Sequence, residues 1–142
     1  MRDIFQDDED VLHICFCGGD VWGDSFEDRL VSKTKLCFPH GASDKQEIEN
    51  VRREVPRRVK EFKPELLFWI CGMDTHQDSY GTQALTSKCY PRLAEIIKET
   101  AEEACQGKLI VKTCCNAPPH ATEYIVPRIV AHLAELKKYS DE

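Results

Sequence analysis

No window of this sequence approaches the ~20 consecutive apolar residues that a membrane-spanning helix requires. The amino terminus, "MRDIFQDDED", is acidic where a secretory leader would be basic and then apolar, so a cytoplasmic protein is the expectation. There is no basic block beyond short pairs such as Arg52-Arg53, Arg57-Arg58 and Lys137-Lys138, and 25 acidic against 19 basic side chains give a formal charge of -6. That balance argues against a nucleic-acid partner. The sequence also lacks a Cys-x-x-Cys pair, an internal repeat and a low-complexity tract. The run "YGTQ" holds one glycine, too few to cradle a phosphate.

What is present is a chain of 142 residues, 42% hydrophobic, with eight cysteines. That length suits one compact domain burying roughly two-thirds of its unfolded surface. The cysteines fall inside apolar runs ("HICFC", "WICG", "KTCCN") instead of punctuating polar loops. Reduced thiols are therefore expected in place of a disulfide framework.

Three short apolar runs rich in β-branched and aromatic residues, 11–17, 65–71 and 108–115, read as strands. Segments of helical period separate them, and that alternation predicts a mainly parallel sheet in an α/β fold. In the first helical segment Ile48, Val51, Val55, Val59 and Phe62 share a face behind a Ser43-x-x-Gln46 capping box. A second helix starts near Thr86 or Ser87, carries Tyr90, Leu93, Ala94, Ile97, Ala101 and Ala104, and ends before Gly107. A third, about 122–138, aligns Ile125, Ile129, Leu133 and Leu136. Prolines 56, 91 and 127 interrupt these segments and blur their ends. The tail, residues 139–142, is expected to fray. The long connection from Gly18 to Gln46 contains Trp22, Phe26 and Phe38, and "TKLCF" within it reads as a further short strand.

In open parallel sheets ligands gather beyond the carboxyl ends of the strands. All three main strands end in cysteine: Cys15 and Cys17, Cys71, and Cys114-Cys115. Residues two apart on a strand share a face, so Cys15 and Cys17, with Asp74 and His76 in the next loop, offer a mixed thiolate, imidazole and carboxylate metal site. The plainer reading, that these cysteines are small buried hydrophobes, is the stronger one. Asp74 is either a turn cap or a cation ligand. His76 and Asp78 are loop-shaping groups, supports of such a ligand, or simply exposed. His13, His40, His120 and His132 read as ordinary histidines.

The run "EFKPELLFWICGMDTHQDSYGTQALTSKCYPRLAEIIKETAEEACQGKLIVKT" resembles the closing third of the histone deacetylase and acetoin-utilisation deacetylase superfamily. Phe62, Pro64 and Leu66 match its strand entry. Gly72, Asp74, His76 and Asp78 match its Gly-Phe-Asp-Ala-His-x-x-Asp loop, Leu85-Thr86 and Tyr90 its helix start, and Gly107 and Leu109 its last strand entry. Residues 4–17 likewise resemble the segment ending in Ser-Leu-His, with Cys15 and Cys17 at the Ser and His positions. "VPRRVKEF" resembles the family's Pro-containing helix.

The resemblance implies a three-layer α/β/α sandwich of the arginase/deacetylase, Rossmann-like kind, here about half the size of the whole domain. It also implies zinc-dependent hydrolysis of an acetyl-amide, with zinc held by Asp, His and Asp, two histidines moving protons and a Tyr stabilising the oxyanion. Asp74 takes the place of the second zinc-ligating Asp. The other ligands and the histidine pair would precede Met1, so the chain reads as the truncated carboxyl-terminal part of the family domain. "KTCCNAPPH" stands where the family has Glu-Gly-Gly-Tyr, without a Tyr.

The expectation is a single chain with no catalytic residue and no tightly held zinc, serving as a binding or scaffold module. An alternative is a zinc hydrolase completed by a partner chain or a second copy. Another is a cysteine-based metal or redox module using Cys15, Cys17, Cys71, Cys114 and Cys115. A homodimer is expected, along the sheet edge and the loop carrying Trp22, Phe26 and Phe38.

Overall fold

The computed structural model describes residues 4–5, 7–17, 34–39, 41–81, 84–115 and 117–136. The chain divides into two compact units, Met1–His40 and Gly41–Glu142. In the first, β1 (His13–Cys17) pairs in parallel with β2 (Lys35–Pro39). β2 is the short strand expected within "TKLCF", shifted by one residue. Ile14 stands opposite Leu36 and Phe16 opposite Phe38, with the two phenyl rings 5.6 Å apart. Phe38 is buried, beside the Phe16 ring of its own chain. Trp22 and Phe26 lie outside the described residues, as does the tail from 137 onward.

The second unit runs α1 (Asp44–Phe62), β3 (Leu67–Gly72), a single 3₁₀ turn (Met73–Thr75), α2 (Cys89–Cys105), β4 (Leu109–Cys114) and α3 (Pro119–Leu133). β3 and β4 pair in parallel, Leu67 opposite Leu109 through Gly72 opposite Cys114. The expected main strands are present, each shorter or shifted by one or two residues. The described strands form two parallel pairs, one in each unit. The result is an α/β fold with parallel pairing. No described helix is long and apolar enough to cross a membrane.

Local chemistry explains the helices. Ser43 caps α1 by accepting from the Gln46 N–H at 3.4 Å, and the Gln46 side chain accepts from the Ala42 N–H at 3.0 Å. In a strict capping box Gln46 would reach the Ser43 N–H; here it reaches one residue further. Pro56 sits inside α1, which runs on through it, while Val51, Val55 and Val59 face inward. The left-handed Lys63 (φ 56°) ends the helix. α2 packs against α1, α3 and β3 and is buried around most of its circumference, including Tyr90, Ile96, Ile97 and Ala101. It begins at Cys89, later than the expected Thr86 or Ser87, because Thr86 forms a turn there, accepting the Lys88 N–H on its hydroxyl and the Cys89 N–H on its carbonyl.

α3 begins at Pro119, whose ring suits a first helical turn. It ends at Leu133, so Leu136, expected on its apolar stripe, lies beyond the helix and is exposed.

One buried charge needs an account. Glu54 is 8% exposed and accepts from Arg53 Nε at 2.8 Å and Arg57 at 3.2 Å. Burial alone would raise its pKa, but the hydrogen bonds and charges of Arg53 and Arg57 outweigh that and hold it below the ordinary 4.5. A carboxyl whose folded pKa is depressed stabilises the fold fully above its unfolded value, and the contribution is lost as pH falls through the folded value. Glu54→Gln should cost about 1.5 kcal/mol at neutral pH, the low end for a charged hydrogen bond because the arginines are exposed. It should also flatten the fall in denaturation midpoint between neutral pH and about pH 3. An unchanged pH slope would remove Glu54 from the acid response.

Candidate functional site

The carboxyl ends of β3 and β4 lie side by side, Gly72 opposite Cys114. Beyond β3 the chain turns once through Met73–Thr75. The Asp74 carboxylate folds back over Gly72, where a Cβ would meet its Oδ1 at 2.6 Å. Gly81 then returns its N–H to the Asp74 carbonyl at 3.1 Å, so closely that a Cβ there would lie 2.1 Å from that oxygen. The solitary glycine of "YGTQ" thus closes the loop around Asp74.

The loop is tied to α2 by neutral hydrogen bonds. The Thr75 hydroxyl donates to the Gly72 carbonyl at 3.2 Å and lies 2.7 Å from the Tyr90 hydroxyl, which therefore donates to it. Burial raises the Tyr90 pKa, against the pull of the Thr75 bond, so the phenol keeps its proton. His76 is 2% exposed. Its Nδ1 accepts the Asp78 N–H at 3.1 Å, leaving Nε2 to carry the proton and donate to the Ser87 hydroxyl at 2.9 Å. The ring stacks near Tyr90 and meets His120 edge-on. His76 thereby ties the loop to Ser87 and to the Asp78 backbone. The exposed Asp78 lies 3.2 Å from His120 Nε2. The sequence gives no hint of that pair, because 42 residues separate its members. Thr86 donates through both its N–H and its hydroxyl to Asp44, at 2.8 and 2.6 Å, joining the loop to the start of α1.

Of the cysteines, Cys71 is buried, Cys114 half-buried and Cys115 exposed. Burial, then the neighbouring Cys114, pushes the Cys71 thiol up to about 12. Burial and Cys115 raise Cys114, and the hydrogen bond with Cys115 raises the exposed phenol of Tyr80. These directions are opposite to those of reactive thiolates. At this strand end Cys115 therefore contacts Cys114 and hydrogen-bonds Tyr80, which the spacing did not single out. Cys15 lies on β1 in the first unit, and the side chain of Cys17 is outside the described residues.

Comparison with known proteins places this geometry. The HD domain of HDA15, a crystal structure, matches with a TM-score of 0.76 at 18% identity, over 95% of this chain and 41% of that one. The likeness establishes the α/β fold, and the chain spans less than half the length of that domain. The family model of the histone deacetylase domain matches residues 2–113. The chain belongs to the histone deacetylase domain family. The curated proteins contain no match.

The family's chemistry uses zinc, which takes three or four protein ligands. Among the described residues no three His, Cys, Asp or Glu side chains are grouped to hold a metal ion. Those residues, Asp74 included, do not fit a zinc centre by themselves.

Ser87→Ala should leave the buried Nε2–H of His76 without an acceptor and cost about 1–3 kcal/mol in chemical denaturation. Ser87→Thr, which restores an acceptor, should recover most of it. Equal stability of Ser87→Ala and the parent would show the bond to be replaceable by water.

Proposed function

We propose that this chain is a histone deacetylase-like binding module that does not hydrolyse acetyl-amides alone. The supporting observation is the setting of Asp74, a remnant zinc-ligand position with no second and third ligand grouped beside it among the described residues. By the family resemblance the oxyanion-stabilising Tyr is also replaced, by the Cys114-Cys115 loop. Loss of such a donor costs ~10²–10³ in rate.

A second reading has its own support. On one face of the β3–β4 pair Phe68 and Ile110 stand opposite each other, 51% and 47% exposed, with Leu66 exposed beside them. Apolar sheet surface of this kind invites a partner. A second copy or a complementing chain that covers this face and supplies zinc ligands would restore the family's hydrolase.

Purified alone, the protein should hold well under one zinc per chain and show no chelator-sensitive turnover of acetyl-lysine or acetyl-amine substrates, with Asp74→Asn unchanged. Robust turnover abolished by Asp74→Asn would overturn the binding-module reading. Light scattering across the micromolar range should report a dimer, and Phe68→Lys with Ile110→Lys should return it to single-chain mass. A parent protein that is already monomeric would exclude the second copy and leave only a different chain to cover the face.

A further inference from the structure

Cys114 is the last residue of β4, and along a strand successive side chains point to opposite faces. The sulfurs of two adjacent strand cysteines are thereby kept apart. Here Cys115 leaves the strand in the left-handed region, φ 63°, a conformation that L-residues other than Asn and Asp seldom adopt. The turn brings its Sγ to 3.8 Å from the Sγ of Cys114, with the Cys115 S–H donating. Both thiols are reduced, Cys115 is exposed and Cys114 half-buried, and Tyr80, in hydrogen-bond contact with Cys115, is itself 72% exposed. Two soft donors are thus held adjacent at an accessible strand end. The deacetylase-like reading assigns them nothing.

We propose that Cys114 and Cys115 form a two-thiol site for soft trivalent electrophiles of the arsenous class. With an arylarsine oxide, two S–H bonds and one As–O double bond give way to two S–As bonds. Both thiol protons leave with the oxygen as water. Arsenic stays trivalent, so no oxidant or reductant enters. The reaction needs no preformed thiolate, which suits a Cys114 thiol held protonated by burial and by Cys115. Selectivity comes from the pairing. A single S–As bond exchanges with any free thiol, whereas the second bond closes within the protein at high effective concentration and strengthens retention by ~10²–10⁴-fold.

The test uses the full-length reduced protein and phenylarsine oxide, read by intact-mass and peptide mass spectrometry. One arsenical per chain should survive excess monothiol, leave on addition of 2,3-dimercaptopropanol, and map to the peptide holding Cys114 and Cys115. Cys114→Ser and Cys115→Ser should each reduce retention in monothiol by ~10²-fold or more, and Cys71→Ser should not. Loss of the parent's adduct to monothiol, mapping to other cysteines, or full retention in both single variants would overturn the proposal. Mapping on the parent decides the matter even where a variant folds poorly.

Discussion

Parallel pairing of β3 with β4 is the constraint from which the second unit follows. Two parallel neighbours cannot be joined by a tight hairpin, and the chain must travel back along the sheet in a crossover of a dozen residues or more. Residues 73–108 make that return, with α2 as its longest element. Because α2 touches α1, α3 and β3, it is buried around most of its surface, and its small residues Cys89, Ala94 and Ala101 have almost none exposed. The same pairing puts the carboxyl ends of both strands together. The loop around Asp74 and the Cys114-Cys115 turn meet there for that reason.

The loop at that end takes its shape from neutral bonds. Thr75 links the Gly72 carbonyl to Tyr90, and His76 spans the Asp78 N–H and Ser87 with both ring nitrogens engaged. A buried imidazole satisfied on both sides is specified in orientation and tautomer, and removing either partner strands a polar atom away from water. The Gly-x-Asp-x-His run that resembles the family's loop therefore contains two kinds of residue here. His76 builds the loop, and Asp74 is what the loop presents.

Much of this was legible beforehand, and the exceptions have physical causes. The valine face of α1 survives an internal proline because packing of that face outweighs local propensity. "TKLCF" is a strand because Leu36 and Phe38 have inward-facing partners at a spacing of two. Periodicity overran α3: Leu136 continues the stripe on paper, but the helix stops at Leu133 and the positive φ of Glu135 turns the chain away. His120 read as ordinary because its neighbour Asp78 is distant in sequence. Tyr80 was passed over because its contact with Cys115 exists only once two strand ends meet.

The sequence by itself determined the family, the parallel α/β character, the apolar faces and the position of Asp74. These depend on period, composition and local spacing, which a linear string carries. The tertiary structure alone decided the tautomer of His76, the closure of the loop by Gly81, the Asp78–His120 and Asp44–Thr86 contacts, and the meeting of the Cys114 and Cys115 sulfurs. Each of these depends on where separate elements lie in space, or on one backbone angle at the end of a strand. Neither has a signature in residue order.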